Sequence, residues 1–381
     1  MKKASVLLAV LVLFAAIPLR AGAVELDVQG KSALLMDVAT GTVLYESNAH
    51  QRLSPASVTK VMTMLLIMEA IDSGKIGLED MVTASEAAAA KGGSQIYLKV
   101  GETMSVSDML KAIAVSSAND CACALAEHIA GSESAFVEMM NRRAGELGMQ
   151  DTGFVNCTGL DDSPEAEHHK TSAYDIALMS RELLGKHPDI RKFTTIWMDT
   201  VRNGAFGLSN TNKLIRFYNG ATGLKTGFTS GAGYCLSASA ERDGMELIAV
   251  VMGCESAKTR MAACKSMLDY GFANYALAKA ELPEETTVAV SLGRQQAVPV
   301  RLESGGAMLI DKGQKNSITT QVRLEEKVPA PVTRGQQLGE LTVKAGDTVL
   351  RTVPLVAAEP VERMSWWDIF LMVLKRVILC R

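Results

Sequence analysis

The stretch Ser54-Pro55-Ala56-Ser57-Val58-Thr59-Lys60-Val61-Met62-Thr63-Met64-Leu65-Leu66-Ile67-Met68 decides how the rest of the chain is read. Ser54 is a good N-cap and Pro55 suits the first helical position. The pattern predicts a helix running from Ser57 to about Asp72 and ended by Ser73-Gly74. Val61 to Met68 is apolar nearly all round, so this helix is expected to be buried. Ser57 falls in the first turn, where backbone N–H groups lack intrahelical acceptors, and Lys60 lies three residues on, on the same face. Burial lowers the pKa of a lysine, and a neutral lysine can take the proton of a serine. Alone, Ser-x-x-Lys is common, and its plain reading is an ordinary helix start.

Two more short motifs lie further along. Ser117-Ala118-Asn119 separates two apolar helical stretches. A serine there can relay a proton and an asparagine can donate and accept hydrogen bonds to an amide, although a helix cap explains the same residues. Lys225-Thr226-Gly227 sits inside a strand-like run, where the glycine permits close backbone approach and the lysine brings a fixed positive charge. Around these motifs, Ser32–Val38 and Gly41–Glu46 read as a hairpin turning at Thr40-Gly41. Helical stretches cover Ser107–Ala114, Asn119–Ala130, Ala135–Leu147 and Ser172–Leu184, the last opening with the capping pattern Ser172-x-x-Asp175. Strand character returns at Gly223–Phe228, Tyr234–Ala240 and Leu247–Met252, with Arg242-Asp243-Gly244 as a hairpin signal. The body is therefore helix-rich and framed by antiparallel strands drawn from both of its ends.

The order and spacing of the three motifs, 60 residues from Ser57 to Ser117 and 108 more to Lys225, resemble the penicillin-binding protein and serine β-lactamase superfamily. Phe154-Val-Asn-Cys-Thr-Gly-Leu, Ser172-Ala-Tyr-Asp-Ile-Ala-Leu, Gly223-Leu-Lys-Thr-Gly-Phe-Thr and Gly233-Tyr-Cys-Leu narrow the likeness to the low-molecular-weight D-alanyl-D-alanine carboxypeptidases (peptidase S11 type). The resemblance covers essentially the whole chain. It implies an α+β fold, a helix-rich body with an antiparallel sheet followed by a small all-β domain. It also implies a serine-type carboxypeptidase that removes the terminal D-alanine of peptidoglycan stem peptides and is acylated by β-lactams. On that likeness Ser57 is the nucleophile, Lys60 its base, and Ser117 the proton shuttle to the leaving D-alanine. Asn119, Lys225, Thr226 and Gly227 hold the substrate, the N–H groups of Ser57 and Phe228 form the oxyanion hole, and Arg260 matches an arginine suited to a carboxylate or else lies on the surface. No cofactor or metal is implied. Two positions depart from the family pattern: Phe228 stands where many relatives have a histidine, and Ala221 where an aspartate is common.

A class A β-lactamase shares the three motifs but needs a loop glutamate, and neither Glu165 nor Glu167 has the expected asparagine after it. An endopeptidase cutting D-amino-acid cross-links has the same catalytic groups and stands as the alternative. A wall-binding or sensing protein without activity leaves the Ser57/Lys60 pair unexplained.

Composition agrees with a globular enzyme: the 381 residues are 48% hydrophobic, with a net charge of −3 that offers no basic face for nucleic acid. After Leu282-Pro283, short β-rich runs separated by Gly, Pro, Asp and Asn predict a small β-domain over 284–358, behind a catalytic domain over 24–283. The first 23 residues read as a signal peptide, with Lys2 and Lys3, an apolar run from Val6 to Leu19, and a cleavage site at Ala21-Gly22-Ala23. Residues 359–381, with Trp366-Trp367 and an apolar arc opposite Asp368, Lys375 and Arg376, read as an in-plane membrane helix. That reading expects the protein at the outer face of the cytoplasmic membrane, with the β-domain as a stand. The seven cysteines are odd in number and show no framework, so they read as free, buried, small apolar residues. His168-His169 reads as part of a polar loop.

Overall fold

The computed structural model describes residues 26–379, apart from Glu284 and Ser304. The signal segment expected over 1–23 lies outside the described residues. An antiparallel five-stranded sheet orders its strands Val43–Ser47, Ser32–Asp37, Met245–Cys254, Gly233–Arg242 and Ala221–Thr229. The first two form the expected hairpin, closed by the Asp37 carboxylate accepting from the Thr40 N–H at 2.7 Å. The hairpin at Arg242-Asp243-Gly244 forms too, with Asp243 and Gly244 both at positive φ, as a tight primed turn requires.

Alternation along the strands splits the body into two cores. Leu34, Met36, Ile248, Val250 and Met252 face the helical side, where the helix Lys60–Asp72 is buried at every residue from Lys60 to Met68. Ala33, Leu35, Leu247, Ala249 and Val251 face the other way, against Cys264, Met267 and Leu268 of the long helix Ala257–Asn274. The capping pattern at Ser172 is realised, its hydroxyl accepting from the Asp175 N–H at 3.2 Å. All six described cysteines are free and buried.

The β-domain is a six-stranded sheet in the order Ile318–Leu324, Gln337–Ala345, Thr348–Ala357, Ala297–Leu302, Thr287–Ser291 and Lys327–Pro329. A second ladder pairs Tyr275–Lys279 with Ala307–Asp311. Ala276 and Ala280 belong to the β-domain core together with Val288, Leu338, Leu341 and Leu355, so that core draws on residues ahead of 284. Tyr275–Lys279 leaves the helix Ala257–Asn274 with no intervening loop, so no Gly/Pro break marks where one core gives way to the next.

The helix Trp366–Leu379 follows, tethered at its start by Asp368, which accepts from the Ser365 N–H at 2.8 Å and pairs with Arg294 at 3.6 Å. The expected placement at the outer face of the cytoplasmic membrane through this helix is corrected here. The helix has only 14 residues, and among the described residues no helix is long and apolar enough to cross a membrane. An in-plane attachment finds no support in it, and the segment is described simply as a short terminal helix.

Candidate active site

The nucleophile candidate enters on a strained step rather than on a capped helix. Ser54 does not cap: its hydroxyl accepts from Lys170 Nζ at 2.8 Å. A 3₁₀ turn Ala56–Thr59 precedes the α-helix, with Pro55 at its N-cap position, and Ala56 holds φ +48°. A non-glycine residue in this region costs on the order of 1 kcal/mol or more and needs surroundings that enforce it. They are present. The Ala56 carbonyl accepts from Thr59 Oγ1 at 2.8 Å, and Thr59 Oγ1 lies 2.7 Å from His169 Nε2. His169 Nδ1 accepts from the Val155 N–H at 3.1 Å, which leaves Nε2 as the protonated nitrogen that donates to Thr59. Burial pushes the imidazole down to about 4, so it stays neutral. His169 is thus a buried brace beneath the turn, not part of a polar loop, whereas His168 beside it is exposed.

Lys60 is fully buried, and its ammonium nitrogen lies 3.0 Å from Ser57 Oγ and 2.8 Å from the Thr158 carbonyl. Desolvation lowers its pKa to about 7, against the weaker opposing pull of Cys157 and Asp120. Lys225 is also fully buried and is driven well below the usual lysine range by burial, then by repulsion from Lys60 and Arg260. Its Nζ donates to the Thr226 carbonyl at 2.9 Å. The two lysines therefore share one low-dielectric site in which charge on either opposes charge on the other.

Ser117 ends the helix Val106–Ser116 in the left-handed region at φ +65°, its N–H donating to the Ile113 carbonyl at 3.1 Å. Its hydroxyl is buried and has no partner among the described residues, and the same holds for Asn119 Oδ1. Buried polar atoms are almost always paired, so both atoms are left open to an external partner. Asn119 is held from its other end, Nδ2 donating to the Gly92 carbonyl at 2.7 Å and its N–H to the Ser94 carbonyl at 2.7 Å.

The strand Ala221–Thr229 lies directly on the Ser57 turn. A Cβ on Gly227 would come within 2.6 Å of the Pro55 carbonyl and 3.1 Å of the Val58 nitrogen, so only glycine allows this approach. Thr226 Oγ1 bonds Thr211 Oγ1 at 2.7 Å, and the Thr211 N–H bonds the Val115 carbonyl, linking this strand to the helix that carries Ser117. Arg260 is 8% exposed and is not a surface residue. Its Nη1 donates to the carbonyls of Gly227 at 2.8 Å and Cys235 at 3.3 Å, so it braces the strand from behind. Phe228 points outward and stacks on Tyr234, with ring centroids 4.2 Å apart.

Ser57 and Lys60 are thus in direct contact and Lys225 is electrostatically coupled to Lys60. Ser117 makes no hydrogen bond to that pair. The contributions of Thr158, Thr211 and His169 escaped the sequence. Thr158 acts through a carbonyl, which no residue type announces, although it lies within the Asn-Cys-Thr-Gly stretch already singled out. A buried histidine in a Glu/His-rich segment has no sequence mark that separates it from its exposed neighbour.

Comparisons with known proteins agree with this arrangement. Residues 20–256 match the D-alanyl-D-alanine carboxypeptidase family of peptidases S11, and residues 276–363 match the C-terminal domain of penicillin-binding protein 5. The chain is 44% identical to the D-alanyl-D-alanine carboxypeptidase DacF of Bacillus subtilis, over 93% of its own length and 90% of that protein. Penicillin-binding protein 5 from Haemophilus influenzae superimposes with a TM-score of 0.75 at 31% identity, covering 90% of this chain and 100% of that structure. Penicillin-binding protein D2 from Listeria monocytogenes, solved in its ampicillin-bound form, gives a TM-score of 0.60 at 32% identity over 65% of this chain and all of that one. With both halves of its length matched and a serine–lysine pair at its centre, the chain belongs to the penicillin-binding D-alanyl-D-alanine carboxypeptidase family, the S11 peptidases.

Proposed function

We propose that Ser57 is the nucleophile that attacks the terminal D-Ala-D-Ala peptide bond and Lys60 the base that takes its proton. The observation that carries this is the 3.0 Å contact between a partly buried hydroxyl and a fully buried amine whose pKa sits at about 7. Near neutral pH half of such an amine is free to accept a proton, which is where a general base works best. The tetrahedral oxyanion is received by the N–H groups of Ser57 and Phe228, a reading supported by the close seating of Gly227 on the Ser57 turn. Ser117 passes the proton to the leaving D-alanine, and Asn119 and Thr226 hold the peptide. The unpartnered Ser117 hydroxyl and Asn119 oxygen support those roles. Lys225 acts on the network through its mutual repulsion with Lys60, each opposing the other's protonation, while Arg260 acts by fixing the Gly227 carbonyl. Water then cleaves the acyl-enzyme, and β-lactams acylate the same serine.

We further propose that the chemistry resides wholly in the body up to the helix Ala257–Asn274, with the following β-domain as its support. The test is D-alanine release from a soluble peptide ending in D-Ala-D-Ala, with Ser57→Ala as control. Release by the parent alone is the expected result, and release by the Ser57→Ala variant overturns the assignment.

A further inference from the structure

Behind the active site, two loops that touch its functional side chains are joined by one ion pair. Lys91 Nζ lies 2.6 Å from Glu133 Oε2, with both side chains half-buried. Glu133 opens the helix Glu133–Glu146, where the helix dipole favours a carboxylate. Its other oxygen, Oε1, accepts from the Cys157 N–H and from the Cys157 thiol, both at 3.2 Å. The Cys157 carbonyl is held in turn by Thr63 Oγ1 at 2.6 Å. Cys157 is thereby fixed at its amide, side chain and carbonyl, and the next carbonyl along, that of Thr158, is the one that holds Lys60 Nζ. On the other side of the pair, Lys91 begins the loop whose Gly92 and Ser94 carbonyls hold Asn119. Contact between these loops is already close. A Cβ on Gly93 would meet Asn119 Nδ2 at 2.9 Å and Leu160 Cδ2 at 3.2 Å.

We propose that the Lys91–Glu133 ion pair is a positioning clamp, one that sets the carbonyl holding Lys60 and the carbonyls holding Asn119 in a single register. Neither residue of the pair is itself a catalytic residue. Both act through backbone groups, which is why the pair sits outside the three short motifs. The proposal rests on the reading of Lys60 as the base.

The clamp has a consequence that a merely structural ion pair lacks. The groups facing Lys60 are the Ser57 hydroxyl, the Cys157 thiol, Asp120, Lys225 and His169, and burial outweighs the opposing pull of Cys157 and Asp120. Loosening the Asn156–Gly159 turn admits water beside Lys60 and relieves that desolvation, while the water replaces the lost carbonyl as acceptor. The free amine then becomes scarcer at neutral pH. The experiment measures the rate of Ser57 acylation by a fluorescent penicillin from pH 5 to 9 in the full chain and in Glu133→Gln, Lys91→Met and the double variant, with thermal midpoints alongside. Glu133→Gln keeps the shape of the side chain, so it remains informative if Lys91→Met does not fold. The acidic limb is expected to move up by about half to one pH unit in each single variant, which slows acylation at pH 7 about twofold to fivefold. The double variant should be no slower than the slower single one, because both remove the same link. Lys91→Arg should restore the parent profile. An unmoved limb in a folded Glu133→Gln variant overturns the clamp, as does a loss of rate that is equal at every pH. Lys60→Met tests the base separately: if it is still acylated at the parent rate, the assignment of Lys60 fails whatever the clamp variants do.

Discussion

The catalytic body and the β-domain solve the problem of burial in opposite ways. The β-domain core is aliphatic, built from residues such as Val288, Val298, Leu338, Leu341 and Leu355, and among its described residues no polar or charged side chain is buried. The body buries Lys60, Lys225, Asp120, Asn119, His169 and Arg260 along with its apolar core. Burying a charged group costs several kcal/mol unless it is paired or neutralised, so a fold selected for stability alone has little reason to carry so many. The difference separates a region with a wholly apolar core from one that carries the desolvation cost of buried polar and ionisable groups. Burial is what brings the Lys60 amine down to about 7.

The sharpest way to break this comparison is to remove the buried amine. Lys60→Met, close in shape and without charge, should lower Ser57 acylation by about a thousandfold or more while leaving the fold intact, as read by penicillin labelling and circular dichroism. A parent-like rate would show that burial of this lysine serves structure only. In the β-domain the prediction inverts. Leu341→Ala should cost about 2–5 kcal/mol of stability in denaturant unfolding, yet leave D-alanine release from soluble peptide unchanged below the transition.

A third prediction concerns the cost of keeping His169 neutral. Its folded pKa, at about 4, lies below the ordinary value of 6.5, so the unfolded chain binds more protons between those values and stability falls as pH drops through that window. From pH 7 to pH 5 this should remove about 2 kcal/mol. His169→Gln, which can still accept from Val155 and donate to Thr59, should show a correspondingly flatter dependence in unfolding experiments at the two pH values. The smallest effect is expected at Phe228. Its side chain faces solvent and stacks on Tyr234, so Phe228→His should change acylation by no more than about threefold, any larger change appearing in deacylation.

The Ser57–Lys60 contact was legible in the sequence because the two side chains lie three residues apart on one face. Apolar alternation likewise gave the central sheet and both hairpins. What stayed hidden has two physical causes. Backbone carbonyls do as much positioning here as side chains: Thr158 holds Lys60, Gly92 and Ser94 hold Asn119, and the carbonyl of Gly227 meets Arg260. Such roles depend on where the chain goes, not on which residue is there. Long-range strain is the other cause. Ser54-Pro55 has the composition of a helix cap, but the turn is governed by the Thr59–His169 brace 110 residues away, and Ser54 is taken by Lys170 instead. At the far end of the body, Tyr275–Lys279 runs on from a helix without a break, so its allegiance to the β-domain shows only in three dimensions, through its pairing with Ala307–Asp311 and the burial of Ala276 in that core.

The six described cysteines lie between positions 121 and 264, all in the body and all sealed from solvent. The protein thus carries its own reporter. A thiol-reactive dye should stay silent at these positions until the body opens, whatever the β-domain is doing, so with Cys380 replaced by serine the time course of labelling would clock the opening of one half of the molecule.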